Sequence, residues 1–222
     1  MTVYVTREAE PQFELYGAYD GELLGGGIHT TASATFTATA DYLIVVPKNS
    51  LRMPQVELGA TPSSYIPTSG ASATRAADTL TIPAANMPWN PLAVSIAMEG
   101  RMTGGSHTLA RWYADANNNT ILSAGVSDFT FTQEASGTVD SVTGGSFTSG
   151  TLVPFNIASR HGSTFVNGAV DGTALTADLT PVALPDLSAT DLLLGYDFMG
   201  TIKSFRVWAD DLGDTGIAEA SA

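Results

Sequence analysis

Residues 200–208 read GTIKSFRVW. From Ser204 to Trp208 the side chains alternate: Phe205 and Val207 fall on one side, Ser204, Arg206 and Trp208 on the other. A period of two is that of a half-buried strand, because successive Cβ atoms leave opposite faces of the pleat. Working outward, strand patterns recur at short intervals. Phe36–Thr39, Tyr42–Val46, Gln55–Leu58, Thr79–Ile82, Ala93–Glu99, Thr108–Tyr113, Thr120–Ser123, Asp128–Gln133, Thr138–Val142, Val153–Ser159, Ser163–Val166 and Asp191–Gly195 each read as a strand. Turn chemistry separates them at Asn117-Asn118-Asn119, Gly144-Gly145, Asn167-Gly168 and Asp171-Gly172. Asn-Gly suits a two-residue hairpin loop, whose central residues need positive φ. One short helix is predicted over Asp214–Ala220, with Asp214 as its cap. Many short strands at such spacing predict an all-β sandwich or barrel.

Composition narrows the function. Of 222 residues, 44% are hydrophobic, enough for a core, and only 14% are charged, so Ser, Thr, Asn and Gly must supply the polar surface. The net charge is −13, and both the first 70 residues and the remainder are acidic. Neither part offers phosphate a basic face, which argues against nucleic acid and against an anionic membrane surface. There is no cysteine, so neither a disulfide framework nor thiol chemistry is available. The N-terminus lacks the pattern of a secretory signal, and no apolar run approaches a membrane span, so no membrane insertion is expected.

Residues 54–78 read PQVELGATPSSYIPTSGASATRAAD. A strand-like start breaks into Gly, Pro, Ser and Thr, with Tyr65-Ile66 held between prolines and small residues surrounding Arg75. This places a boundary: residues 1–60 as a small β-region divided by Gly25-Gly26-Gly27, 61–77 as a linker, and 78–222 as the larger domain. Gln55-Val56-Glu57-Leu58-Gly59, Thr61-Pro62-Ser63-Ser64-Tyr65-Ile66-Pro67-Thr68 and Ala73-Thr74-Arg75-Ala76-Ala77-Asp78 resemble a junction in virion proteins of tailed bacteriophages. In that family the junction joins an N-terminal β-domain to a C-terminal jelly roll of the laminin-G/concanavalin-A-like type. Phe165-Val166-Asn167-Gly168 looks like the hairpin of such domains. Leu194-Gly195, Gly200–Trp208, Leu212 and Asp214 look like their closing strand.

The resemblance covers about residues 54–222 and implies a concanavalin-A-like jelly-roll β-sandwich with a small N-terminal β-region. It implies a virion localisation, other virion proteins as partners, a homo-oligomer, and host-surface polysaccharide as a further contact. The modest length favours a head decoration, spike or tail-tip component over a long fibre. Tyr65 and Ile66 are expected to dock between domains, held extended by the flanking prolines; a plain flexible linker is the alternative. The N-terminal region is expected to pair with neighbouring chains, including by strand addition through Thr2–Thr6.

Jelly rolls of this type include glycoside hydrolases, which need two carboxyl groups. The larger domain has only Glu99, Glu134 and Glu219, and none falls in the Glu-x-Asp-x-(x)-Glu pattern of lectin-like hydrolases. His29, His107 and His161 show no metal-ligand spacing, and His161, before Gly162, reads as a surface turn residue. There is no Gly-x-Ser-x-Gly elbow, and Gly25-Gly26-Gly27 lacks the lysine of a phosphate loop. Asp115-Ala116-Asn117-Asn118-Asn119 starts like a calcium loop but fails at Thr120 and Val126. It reads as a hairpin, with a weak Ca2+ site left open and no cofactor otherwise expected. No enzyme activity is predicted. Sugar binding needs exposed aromatics with Asn, Asp or Arg beside them. The aromatic candidates are Trp89, Trp112, Tyr113, Tyr196 and Trp208. The hairpin of Trp112, Tyr113, Asn117, Asn118 and Asn119 is the expected recognition edge, with either Trp112 or Tyr113 facing out.

Overall fold

The structure is a computed structural model. It describes residues 66–73 and 80–222, the backbone of six N-terminal strands, and the side chains of Gln55 and Val56. Gly25-Gly26-Gly27, His29, Phe36, Leu58, Tyr65, Arg75 and Thr79, singled out above, lie outside the described residues. The chain divides into two compact units, residues 1–77 and 78–222. Among the described residues no helix is long and apolar enough to cross a membrane.

The smaller unit holds β1 (Thr2–Thr6), β2 (Phe13–Tyr19), β3 (Glu22–Leu23), β4 (Ser33–Thr35), β5 (Ala38–Pro47) and β6 (Arg52–Glu57). They form two three-stranded antiparallel sheets, ordered β4-β1-β6 and β3-β2-β5. β1 pairs with β4 on one side and with β6 on the other. Strand addition through Thr2–Thr6 is therefore corrected, because both edges of that strand are already taken. Gln55 is buried, and its Oε1 accepts the N–H of half-buried Ile66 at 2.7 Å, tying this part of the junction to β6.

The larger unit is a jelly-roll β-sandwich. Its strands are β7 (Leu80–Ile82), β8 (Ala93–Gly104), β9 (His107–Asp115), β10 (Asn118–Ala124), β11 (Phe129–Ala135), β12 (Thr138–Gly144), β13 (Gly150–Gly162), β14 (Val166–Val170), β15 (Thr173–Ala174), β16 (Leu192–Asp197) and β17 (Gly200–Trp208). A six-stranded sheet runs β12-β11-β10-β9-β16-β7, and a five-stranded sheet runs β15-β14-β13-β8-β17, all pairs antiparallel. Alternation builds the core between them. Phe129, Phe131, Gln133 and Ala135 of β11 are buried while their neighbours are half-buried. Ile96 and Met98 of β8, Trp112 of β9, Leu122 of β10 and Phe155 and Ile157 of β13 join Phe129 and Phe131 in one cluster, against which Phe205 and Val207 pack.

Ala93–Met98 of β8 and Ile157–Gly162 of β13 are buried on both faces. Outside, Ala97, Ala158 and Ala169 pack beneath Ile217 of helix α1 (Gly213–Ala220), with Trp208 and Leu212 against the same group. Small side chains there leave room for a helix close to the sheet.

Two local readings are corrected. Asn167-Gly168 is not a turn but lies buried inside β14; the turn is Asp171-Gly172, at φ 46° and 79°. Gly168 is needed because a Cβ there would run into the Phe131 ring of the opposite sheet. Asp214 does not cap α1. The N-cap is Leu212, without a side-chain cap, and Asp211 Oδ1 accepts the Gly213 N–H at 2.8 Å. Asp214 Oδ1 instead accepts Arg160 Nε at 3.0 Å and Asn167 Nδ2 at 2.6 Å.

Candidate functional site

β9 sets the phase of the outer face of the six-stranded sheet. Ala110 and Trp112 enter the core, so Arg111 and Tyr113 lie on the outer face. Trp112 is 1% exposed; its Nε1 donates to the Thr190 carbonyl at 2.8 Å, and its ring meets Trp89 edge-on at 5.3 Å. The structure thus places Trp112 in the core, where it cannot stack on a ligand. Trp89 packs against the same core.

The expected hairpin exists, but its turn centres on Ala116-Asn117, with Asn118 and Asn119 already in β10. Asp115 Oδ1 accepts the Asn117 N–H at 2.7 Å and Asn118 Nδ2 at 3.1 Å. Donation from the Asn117 N–H, then from Asn118, holds the Asp115 carboxyl below its ordinary range. Asn118 Oδ1 accepts the Ser136 N–H at 3.2 Å. Asn119 is 2% exposed, so it is a buried strand residue rather than a tip residue, and its Nδ2 donates to Glu134 Oε2 at 3.0 Å. These asparagines knit the tip together; Asn117 remains exposed.

In place of the whole hairpin, the structure brings Tyr113 together with two residues that the hairpin reading did not join to it. The Arg111 guanidinium lies 3.6 Å from the Tyr113 ring centre and 4.6 Å from that of Tyr196. Tyr196 is 58% exposed. A bulge aims it. β16 pairs with β9 at Leu194↔Ala110 and next at Asp197↔Thr108, so one strand carries an extra residue there. Gly195 takes φ +65°, which L side chains rarely adopt. A glycine inside a strand pattern signals such a bulge, and that signal was present in Leu194-Gly195-Tyr196.

Two other places hold polar groups. Inside the sandwich, Ser159 Oγ lies 3.0 Å from His161 Nε2, and both residues are fully buried. His161 is therefore a core residue and not a surface turn residue, because β13 runs on to Gly162. Burial pushes its pKa down to about 3, so the ring is neutral. A serine beside a neutral histidine resembles a nucleophile and base, but both are enclosed in the core. On the outer face of the five-stranded sheet lies a groove of about 550 Å3, lined by Glu99, Arg101, Asn156, Asp171 and Lys203 among others. Two of its charges answer one another, Lys203 Nζ meeting Glu99 Oε1 at 2.6 Å, and Arg101 donates to the Leu152 carbonyl at 3.1 Å. Among the described residues, no group of three His, Cys, Asp or Glu could hold a metal ion.

No protein-family model matches the chain, and no curated protein matches it. Solved structures of similar fold include HCR/D-Sa-GBL1/C (14% identity, TM-score 0.46), the binding domain of botulinum neurotoxin DC in complex with SialylT (14%, 0.44) and the botulinum neurotoxin serotype C1 binding domain (11%, 0.42). Each match covers 58% of this chain and 35% of the other, so the chain corresponds to about a third of those neighbours.

Proposed function

We propose that the protein is a non-catalytic structural component of the surface of a tailed phage or phage-like particle, and that its larger unit contacts host-surface glycan. The observation that carries the glycan contact is the Tyr113–Arg111–Tyr196 cluster on the outer face of the six-stranded sheet. An exposed tyrosine ring offers a flat apolar surface to the C–H face of a sugar, and a guanidinium beside it offers donors to sugar oxygens. Asn117 and Asn118 at the hairpin tip supply a polar rim. The particle assignment is supported by the junction residues 54–78, with residues 1–60 as the attachment part, in a homo-oligomer. The alternative is a dedicated receptor-recognition protein using the same face.

Catalysis is not part of the proposal. Glu99 is paired with Lys203, and Glu134 is held by Asn119, so neither strand glutamate is free to serve as one of two opposed carboxyls. A single small sugar site gives about millimolar affinity, near −4 kcal/mol, and many copies on one particle raise avidity by orders of magnitude. The test is adsorption of purified protein to host capsule or lipopolysaccharide, alongside Tyr196→Ala. Adsorption that weakens in the variant supports the reading, and adsorption that is absent in both overturns it. Deleting residues 1–60 should give a folded larger unit that fails to join particles; normal incorporation would sink the attachment role.

A further inference from the structure

Residues 80–222 contain five Lys and Arg side chains: Arg101, Arg111, Arg160, Lys203 and Arg206. Four of them donate to protein oxygens. Arg101 Nη1 reaches the Leu152 carbonyl at 3.1 Å, Arg160 reaches Asp211 and Asp214, Lys203 reaches Glu99, and Arg206 Nη2 reaches the Ala220 carbonyl at 3.1 Å. Arg111 donates to no oxygen among the described residues; its contacts are the two tyrosine rings. Ring faces attract the guanidinium through its π-cloud and leave its N–H edge uncommitted.

The carboxylates of the same sheet do not answer it. On or beside its strands, Asp115 is held by its own hairpin, Glu134 by Asn119, Asp191 by the Ala84 N–H at 2.8 Å and Asp140 by the Val182 N–H at 3.0 Å, while the exposed Asp197 of β16 forms no ion pair with Arg111. In a chain of net charge −13, acids are abundant, yet among the described residues none pairs with this cation. Arg111 is also the one Lys or Arg on the six strands of that sheet. A phosphate or sulfate cluster usually calls on several cations. A lone planar fork beside an aromatic surface matches a single carboxylate, whose two oxygens accept two parallel N–H bonds.

We infer that Arg111, with Tyr113 and Tyr196, forms a subsite for a carboxylate-bearing sugar of the uronic-acid class. This rests on the glycan-contact reading above and names the chemistry of its ligand. Arg111 forks the carboxylate, while the exposed Tyr196 ring lies under the pyranose.

The test is calorimetry of the whole chain at about 0.15 M salt, where charges beyond roughly 8 Å are screened. The probes are short galacturonate, mannuronate and guluronate oligomers, each compared with its carboxyl-reduced counterpart. A charge-assisted bidentate contact is expected to favour at least one acid oligomer over its reduced form by about 10- to 100-fold. Arg111→Gln should erase that preference and Arg111→Lys restore only part of it, since an ammonium lacks the planar fork. Because the preference is a ratio measured within one variant, a partial loss of folded protein cancels. Equal binding of acid and reduced oligomers by the wild-type chain, or an unchanged preference in Arg111→Gln, overturns the carboxylate assignment and leaves the glycan contact standing. Absence of binding to every oligomer overturns both.

Discussion

On the five-stranded sheet Arg160 points outward into two carboxylates, whereas on the six-stranded sheet Arg111 points outward over two tyrosine rings. Strand alternation puts both cations on outer faces; what covers each face decides their roles. Arg160, its side chain 10% exposed, meets Asp211 at 3.1 Å and Asp214 at 3.0 Å, and its guanidinium also lies 4.5 Å from the Phe165 ring centre. Those aspartates flank the start of α1, so the pairs fasten the helix over Ala97, Ala158 and Ala169. Within residues 80–222 no helix or ion pair comparable to these covers Arg111. The first face has turned its charge into structure, whereas on the second the guanidinium makes no hydrogen bond to the described residues.

The largest expected effect is on acid stability, and it arises beneath the five-stranded sheet. His161 is buried between the sheets, and its folded pKa is about 3 against an ordinary 6.5. The unfolded chain therefore takes up a proton as pH falls through 6.5 that the folded chain refuses until about pH 3. This contribution is fully present above pH 6.5 and is lost as pH falls toward 3. The loss is of order 4–5 kcal/mol. Urea midpoints measured from pH 7 to pH 3 should show it, and His161→Leu should flatten the slope in that window even though it lowers stability at pH 7. A slope unchanged in the variant would place the acid sensitivity elsewhere.

Next in size is the direct comparison of the two arginines. Arg160→Met leaves Asp211 and Asp214 without their cation. Breaking a wholly buried pair costs about 3–5 kcal/mol, but these carboxylates are 32% and 51% exposed, so water recovers part of it. A loss of about 2 kcal/mol is expected, with faster amide exchange in Gly213–Ala220 as the helix loosens. Equal losses in Arg160→Met and Arg111→Met would erase the distinction drawn between the faces.

Much of this was legible in the sequence, because period-two alternation carries the core. The alternation of Phe129, Phe131, Gln133 and Ala135 is written directly in the chain, as is that of Phe205 and Val207. The phase of β9 was legible too: any register that puts Arg111 in water puts Tyr113 there and Trp112 inside. What local sequence does not encode is approach from far along the chain. Gly168 looks like half of an Asn-Gly turn, but it is a glycine because Phe131 of the other sheet presses on it. Asp214 looks like a cap until Arg160, 54 residues away, is brought beside it. His161 looks like a turn residue because the length of β13 depends on its pairing with β8. Tyr196 joins Arg111 only through a bulge, which the sequence marks with Gly195 but does not aim.

That bulge gives a smaller prediction. Gly195→Ala forces a Cβ into a left-handed backbone, with Phe198 Cβ 3.3 Å away. The cost should be about 1–2 kcal/mol. If the bulge relaxes instead of holding, Tyr196 swings off Arg111, and glycan adsorption should fall together with stability. Retained adsorption at lowered stability would show that the bulge holds its shape without glycine.

The smallest expected change in stability belongs to Arg111 itself, and it sharpens the comparison most. Arg111→Gln removes a cation that no carboxylate among the described residues answers, so no partner charge there is left behind. The lost contacts with Tyr113 and Tyr196 are those of a half-exposed cation with aromatic rings, worth about 0.5 kcal/mol or a little more. In a unit of this size that corresponds to a melting shift of roughly 1–3 °C. Arg160→Met should shift the midpoint several times further. A functional cation and a structural one then separate by experiment: changing Arg111 should leave the fold almost untouched while removing the preference for acidic sugar. If Arg111→Gln instead melts as early as Arg160→Met, the guanidinium is a structural brace between the two tyrosines, and the outer face of the six-stranded sheet must bind through the rings alone.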